Sequence, residues 1–266
     1  MKLKKSILFL ISLVMIFPMF WMLILSLKNT SNFNSIIDLI TSDYSIDNYI
    51  NIFSSNNFLL YTFNSILVSS VVTLLNVIFC LLVAYALARF QNRFNKILFI
   101  STLSILIIPP HVIMIPLYRL MVNFNWIDSY FALILPWAIT PFGIFLLKQF
   151  IEKIPIDLED SAKLDGANDF QIIMKIILPI SKPILVVLII YTFLANWNAF
   201  LFPFLFTNSD EMRTLPVGLT FFLGKQSIDW GQLMAGASIA AIPMIIIYLV
   251  FKKQIIEAML YGALKE

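Results

Sequence analysis

The chain has little of what soluble chemistry uses. Of its 266 residues one is cysteine, one is histidine and 12% are charged, whereas 60% are hydrophobic and the mean hydropathy is +0.91. Soluble domains carry about 25% charged residues and roughly 45–50% apolar ones, so this composition belongs to a chain immersed in lipid. The lone Cys80 excludes an internal disulfide and a cysteine metal cluster, and it reads as a small apolar packing residue. No His-Glu-x-x-His helix and no Gly-x-Ser-x-Gly elbow occurs. The nearest approach to a phosphate loop, Gly218 to Gln226, has five residues between its glycines instead of four, and Gln226 stands where a Mg²⁺-binding hydroxyl is needed. These absences argue against an enzyme and against a metal or cofactor held by this chain.

What is present is a set of apolar runs long enough to cross about 30 Å of hydrocarbon at about 1.5 Å per residue. Six are expected, roughly Ser6–Leu27, Leu60–Ala88, Ile97–Tyr118, Ser129–Leu147, Pro183–Phe206 and Leu233–Phe251. The first follows Lys2, Lys4 and Lys5 like a secretory signal, but it is too long for one, and Trp21-Met22-Leu23 continues it where a cleavage site would stand. It reads as a retained anchor. With the N-terminus inside, fourteen of the eighteen cations fall on the cytoplasmic side, leaving only Lys28, Arg119, Arg213 and Lys225 outside. Both termini are therefore expected in the cytoplasm, and the pI near 8.9 reflects membrane orientation rather than nucleic-acid affinity.

Every Asp, Glu, Lys and Arg lies outside the six runs or at their ends. An ion-coupled transporter usually needs a buried carboxylate or charged relay. Carbonyls and hydroxyls can hold Na⁺ alone, so that reading is lowered without being removed. Pro109 and Pro110 are expected to kink the third run, with His111 a neutral side chain on a freed carbonyl or in a watery cavity. Uncharged polar groups inside the runs, Asn64, Ser65, Asn76, Tyr85, Tyr191, Thr192, Asn196, Trp197 and Asn198, must face other helices or a cavity. Helix packing is the commoner role. The alternative is a solute path bordered by Tyr191, Asn196, Trp197 and Asn198, because amides bond hydroxyls while rings cover the apolar face of a sugar.

The only long charged segment between runs spans residues 151–182. Asp157 is expected to cap a short helix from about Leu158 to Asp165, and Gly166 to supply the left-handed turn that stops it. Asn168 and Gln171 have the spacing of a capping box for a second helix, whose apolar face would hold Phe170, Ile173, Met174 and Ile177. Helix, glycine corner and helix make a rigid elbow beside the membrane.

Asp160-Ser161-Ala162-Lys163-Leu164-Asp165-Gly166, followed after nine residues by Ile176-Ile177-Leu178-Pro179, resembles the EAA motif of binding-protein-dependent ABC importers. Asp160 replaces the usual Glu and Ser161 the first Ala. Tyr85–Phe90, Ile115–Tyr118, Asn196–Leu201, Thr214–Leu219 and Gly262–Lys265 extend the likeness to the MalG-type branch, the permeases of maltose and multiple-sugar importers. The resemblance implies an all-α polytopic membrane protein with six transmembrane helices and the type I importer (MetI-like) permease fold. It divides the chain into an anchor and loop (1–59), a permease domain (60–256) and a C-terminal tail (257–266). It implies a MalF-type second permease, two ABC ATPase subunits that bind ATP-Mg, an extracellular solute-binding protein and a carbohydrate cargo, in the bacterial cytoplasmic membrane, with no nucleic acid. Asp160, Ser161, Ala162, Asp165, Gly166, Ala167 and Phe170 become the ATPase-coupling residues. A same-fold permease for a glycerol-phosphate compound, and an ATP-independent transporter or channel, are the alternatives.

Overall fold

The computed structural model describes residues 2–28, 43–55, 57–90, 92–223 and 228–263. Gly224–Gln226 of the phosphate-loop near miss and Leu264-Lys265 of the closing motif lie outside them. Helices dominate the described residues, and the one β-contact among them is an isolated bridge between Lys28 and Tyr44. In chain order the helices are α1 (Lys2–Ser26), α2 (Asp47–Ser55), α3 (Phe58–Arg89), α4 (Arg93–Ile105), α5 (Met114–Asn123), α6 (Tyr130–Ile134), α7 (Pro141–Ile151), α8 (Asp157–Leu164), α9 (Asp169–Ile172), α10 (Leu178–Ile180), α11 (Lys182–Trp197), α12 (Leu201–Phe206), α13 (Leu215–Leu219) and α14 (Trp230–Ala263).

Four stretches are long and apolar enough to cross a membrane: Lys5–Ser26, Phe58–Arg89, Tyr130–Ile151 and Trp230–Gln254. Two bent pairs bring the total to six where each pair is counted as one span. One is the third run, bent by 97° between α4 and Pro110–Asn123, where Pro109 and Pro110 remove two backbone donors. His111 sits exposed in that bend. The other departs from the expected Pro183–Phe206. Asp169–Ile180 meets α11 at 81°, α11 stops at Trp197, and α12 is a separate piece. Asn198 takes the helix C-cap and its side chain bonds back to the Leu194 carbonyl, so the amide that looked like part of a continuous span ends one.

The chain divides into two compact units. In the first, Met1–Asn64 with Arg213–Ile246, α2 is tied to the end of α1: Asn48 donates to the carbonyls of Ser26 and Lys28, and the Ser26 hydroxyl meets the Tyr49 hydroxyl at 2.7 Å. Asn64 donates to the Arg213 carbonyl, a packing role. In the second, Ser65–Met212 with Ile247–Glu266, one core joins α3, α7, the 172–177 turn and α11 through Leu81, Ala84, Leu147, Ile151, Ile172, Ile177 and Leu188. A second apolar cluster gathers Val68, Val72, Met121, Leu133 and Phe206.

The fourth run is interrupted. After α6, a 3₁₀ turn at Leu135–Trp137 precedes Thr140, the residue that caps α7. Pro141, four residues after Trp137, has no N–H to offer the Trp137 carbonyl, and Asn76 on α3 supplies the missing donor there and donates to the Thr140 hydroxyl, both at 3.2 Å. The Thr140 and Thr192 hydroxyls approach the Asn76 carbonyl oxygen at 3.5 Å. A Cβ on Gly143 would strike Cys80 Sγ and crowd Asn76 and Thr140, so glycine lets α7 come this close to α3. Asn76, Cys80 and Thr192 are thus packing residues of one polar knot.

Candidate functional site: the elbow and the end of α11

Helix α8 begins at Asp157, with Ile156 at the N-cap and no side chain capping it, which corrects the expected role of Asp157. As the first helical residue, Asp157 places its charge at the positive end of the helix dipole, joined in that turn by Glu159 and Asp160. The helix ends in a Schellman motif: the Ala167 N–H reaches the Ala162 carbonyl at 2.9 Å and the Gly166 N–H reaches that of Lys163 at 3.0 Å. Gly166 has φ +84°, as expected, and nothing within the chain lies near the site of a Cβ. Its constraint is backbone strain, on the order of 1 kcal/mol for a non-glycine residue. The Asp165 carboxylate is exposed and makes none of the described hydrogen bonds, so it does not fasten the corner by bonding backbone amides.

The capping box at Asn168 and Gln171 forms in both directions at 2.9 Å. Beyond α9, however, the chain takes a π-helical turn at Ile173–Ile177. The wider turn places residues five apart on one face, so Ile172 and Ile177 are buried together with Ile173. Phe170 and Met174, expected on one apolar face with Ile173 and Ile177, are instead 66% and 46% exposed. Around the corner Leu164 is 90% exposed and Asp160, Ser161, Lys163 and Asp165 face outward, while Ala162 and Ala167 pack down on the core. Six of the seven expected coupling residues thus share one projecting element with small residues beneath and acidic and apolar residues on its outer side, and Phe170 joins it from α9.

Sequence reasoning missed Glu159. It is 1% exposed, and its Oε1 accepts from Arg89 Nε at 2.6 Å while its Oε2 accepts from the Tyr85 hydroxyl at 3.1 Å. Arg89 also donates to the Ile154 carbonyl at 3.0 Å. The available signals were Tyr85 and Arg89 one helical turn apart and Glu159 three residues before the inward Ala162.

The candidates on α11 do not form one face. Trp197 is buried, stacked 6.0 Å from Phe193, so it reaches no open side of this chain. The Asn196 side chain donates to the Thr192 carbonyl and is half-buried. Tyr191 and Asn198, two turns apart, are exposed with Ala195 between them, and the Tyr191 ring rests on Phe142 at 4.5 Å. No group of three or more His, Cys, Asp or Glu that could hold a metal occurs among the described residues.

The family described as "Binding-protein-dependent transport system inner membrane component" matches residues 76–253. The arabinooligosaccharides transport system permease protein AraQ of Bacillus subtilis is 35% identical over 259 residues, 96% of this chain and 92% of its own length. The trehalose/maltose transport system permease protein MalG of Thermococcus litoralis is 32% identical over 262 residues, covering 96% and 94%. A chain from the crystal structure of a bacterial ABC transporter involved in the import of the acidic polysaccharide alginate superposes with a TM-score of 0.84 at 21% identity, covering 94% of both chains, which establishes the fold.

Proposed function

This chain belongs to the family of binding-protein-dependent transport system inner membrane components, and from that premise we propose that it is a membrane-embedded permease subunit of an ATP-driven carbohydrate importer. The observation that carries the reading is the elbow: a capped, glycine-cornered lever with Leu164 at its exposed tip, beside spans whose charges lie at their ends. Such a lever needs a partner that moves it. Two ABC ATPase subunits supply the motion, a second MalF-type permease completes the pathway, and an extracellular binding protein delivers the solute. Asp160, Ser161, Asp165, Gly166 and Phe170 form the ATPase-facing surface, Ala162 and Ala167 support it from the core side, and Asp165 acts there by its charge.

Residues 1–59 serve as anchor and loop, 60–256 as the permease domain and 257–266 as a tail, with both termini cytoplasmic. Relatives that carry arabinooligosaccharides or trehalose and maltose in their names support an uncharged, hydroxyl-rich cargo. The exposed Tyr191 ring and Asn198 amide face suit it, with Asn196 at the edge.

The test is uptake by proteoliposomes holding the permease with the partner subunits encoded beside it. Arabinotriose, maltose and trehalose are offered with their binding protein, with ATP inside. Uptake that requires ATP and ignores ionophores supports the reading, whereas uptake that persists without ATP and follows an ion gradient sinks it. Topology has its own check. Cysteine at position 163 in a Cys80→Ser background should be labelled only from the cytoplasmic side.

A further inference from the structure

Among the described residues, Glu159 is the buried carboxylate, and both of its oxygens are engaged by α3. Tyr85 and Arg89 occupy the last turns of that 32-residue helix. At about 1.5 Å per residue the helix is roughly 48 Å long, well beyond the hydrocarbon thickness. Arg89 grips the chain twice: at the Ile154 carbonyl, in the short connection that follows α7, and at Glu159, inside α8. The start of α8 has no side-chain cap of its own. The remaining attachment of the elbow is apolar, through Ala162, Ala167, Ile172 and Ile177. Apolar contact is non-directional and permits sliding, whereas charge-assisted bonds to both oxygens of a carboxylate fix an angle.

We propose that Arg89 and Tyr85, closing on Glu159, are positioning residues that lock the elbow to the end of α3, so that displacement of the elbow is delivered to this helix as a rigid-body movement. Arg89 holds both the hinge and the lever, and the apolar bed beneath bears the load without setting the direction. The inference rests on the reading of the chain as an ATP-driven permease. It adds a load path within the chain, through three residues outside the outward-facing coupling surface.

The test places spin labels at positions 90, where the chain leaves α3, and 163, both exposed, in the complete importer in lipid nanodiscs, in a Cys80→Ser background. The distance distribution is recorded with and without ATP, Mg²⁺ and vanadate. In the otherwise unmodified protein the distance stays narrow and does not move on nucleotide trapping. Glu159→Gln removes the charge and leaves one acceptor oxygen for two donors. In that variant the distribution should broaden and become nucleotide-dependent, and sugar imported per ATP hydrolysed should fall by about fivefold or more, while the ATPase still co-purifies.

Tyr85→Phe, which removes one hydroxyl, should give the same change in weaker form and carries the test should the glutamine variant fail to insert. An unchanged, nucleotide-insensitive distance in the inserted variants, with import per ATP within about twofold of the parent, overturns the inference. So does a parent protein whose 90–163 distance shifts on trapping. The distance measurement needs no cargo, so a permease that imports no sugar leaves this result readable while refuting the functional reading.

Discussion

The elbow, residues 157–178, and the polar knot around Asn76 are both hydrogen-bonded assemblies in the same compact unit, yet they are built from different groups. The elbow uses formal charge, backbone caps and a positive φ at Gly166. The knot uses an amide, two threonine hydroxyls and a backbone carbonyl, with no formal charge. The medium accounts for the contrast. Beside water a charge keeps its hydration and a helix end can be capped from its own flanks. Inside apolar helices a charge is costly, and the Trp137 carbonyl, which Pro141 cannot serve, must find a donor on a neighbouring helix. One region is therefore shaped locally and can act as a lever. The other holds three helical segments at fixed spacing and resists movement.

The largest effect should come from breaking the lever at its corner. Gly166→Leu forces a branched side chain into φ +84° and blocks the docking surface, so ATP-driven uptake should be abolished while the permease still inserts. Gly166→Asn, which tolerates this conformation, should retain much of it. Normal uptake together with normal ATPase co-purification for the leucine variant would refute the coupling assignment.

The next largest should come from the knot, and it should register as stability. Asn76→Leu keeps the volume but strips the Trp137 carbonyl and Thr140 hydroxyl of their donor, at a cost of about 1–3 kcal/mol. A lowered melting temperature of the purified permease, with transport per folded molecule nearly intact, is the expected outcome. Gly143→Ala should destabilise by a similar amount, about 1–3 kcal/mol, and Cys80→Ala should relieve part of it by vacating Sγ. Absence of that rescue would show that the two helices are not in contact there.

Smaller still is the end of α11. Asn198→Ala should raise the KM for sugar a few-fold without lowering protein level, while Trp197→Ala should reduce the amount of folded protein instead. Equal kinetics for Asn196→Ala, Asn198→Ala and the parent would assign both amides to helix termination alone. The smallest effect is expected at Lys163→Gln, an outward side chain on α8, where stability should change by less than about 0.5 kcal/mol and uptake should not change. A large loss there would mean that the outer face of the lever is read charge by charge.

Features whose causes lie within a few residues of one another, or in composition, can be read from the chain's residues. The apolar runs follow from the need to satisfy backbone groups inside lipid. The corner at Gly166 and the box at Asn168 and Gln171 follow from local backbone chemistry. Asp157 misled because its spacing fits both a cap and a first-turn acid, and the preceding loop decides between them. The rest depends on packing between segments distant in the chain. The π turn brings Ile172 and Ile177 together against α3, α7 and α11 and leaves Met174 outside, so the regular α-helical face that joined Phe170 and Met174 to Ile173 and Ile177 is not kept. Trp197 is turned inward, buried and stacked on Phe193. Glu159 pairs with Arg89 seventy residues away, a contact made by the packing of α8 against the end of α3.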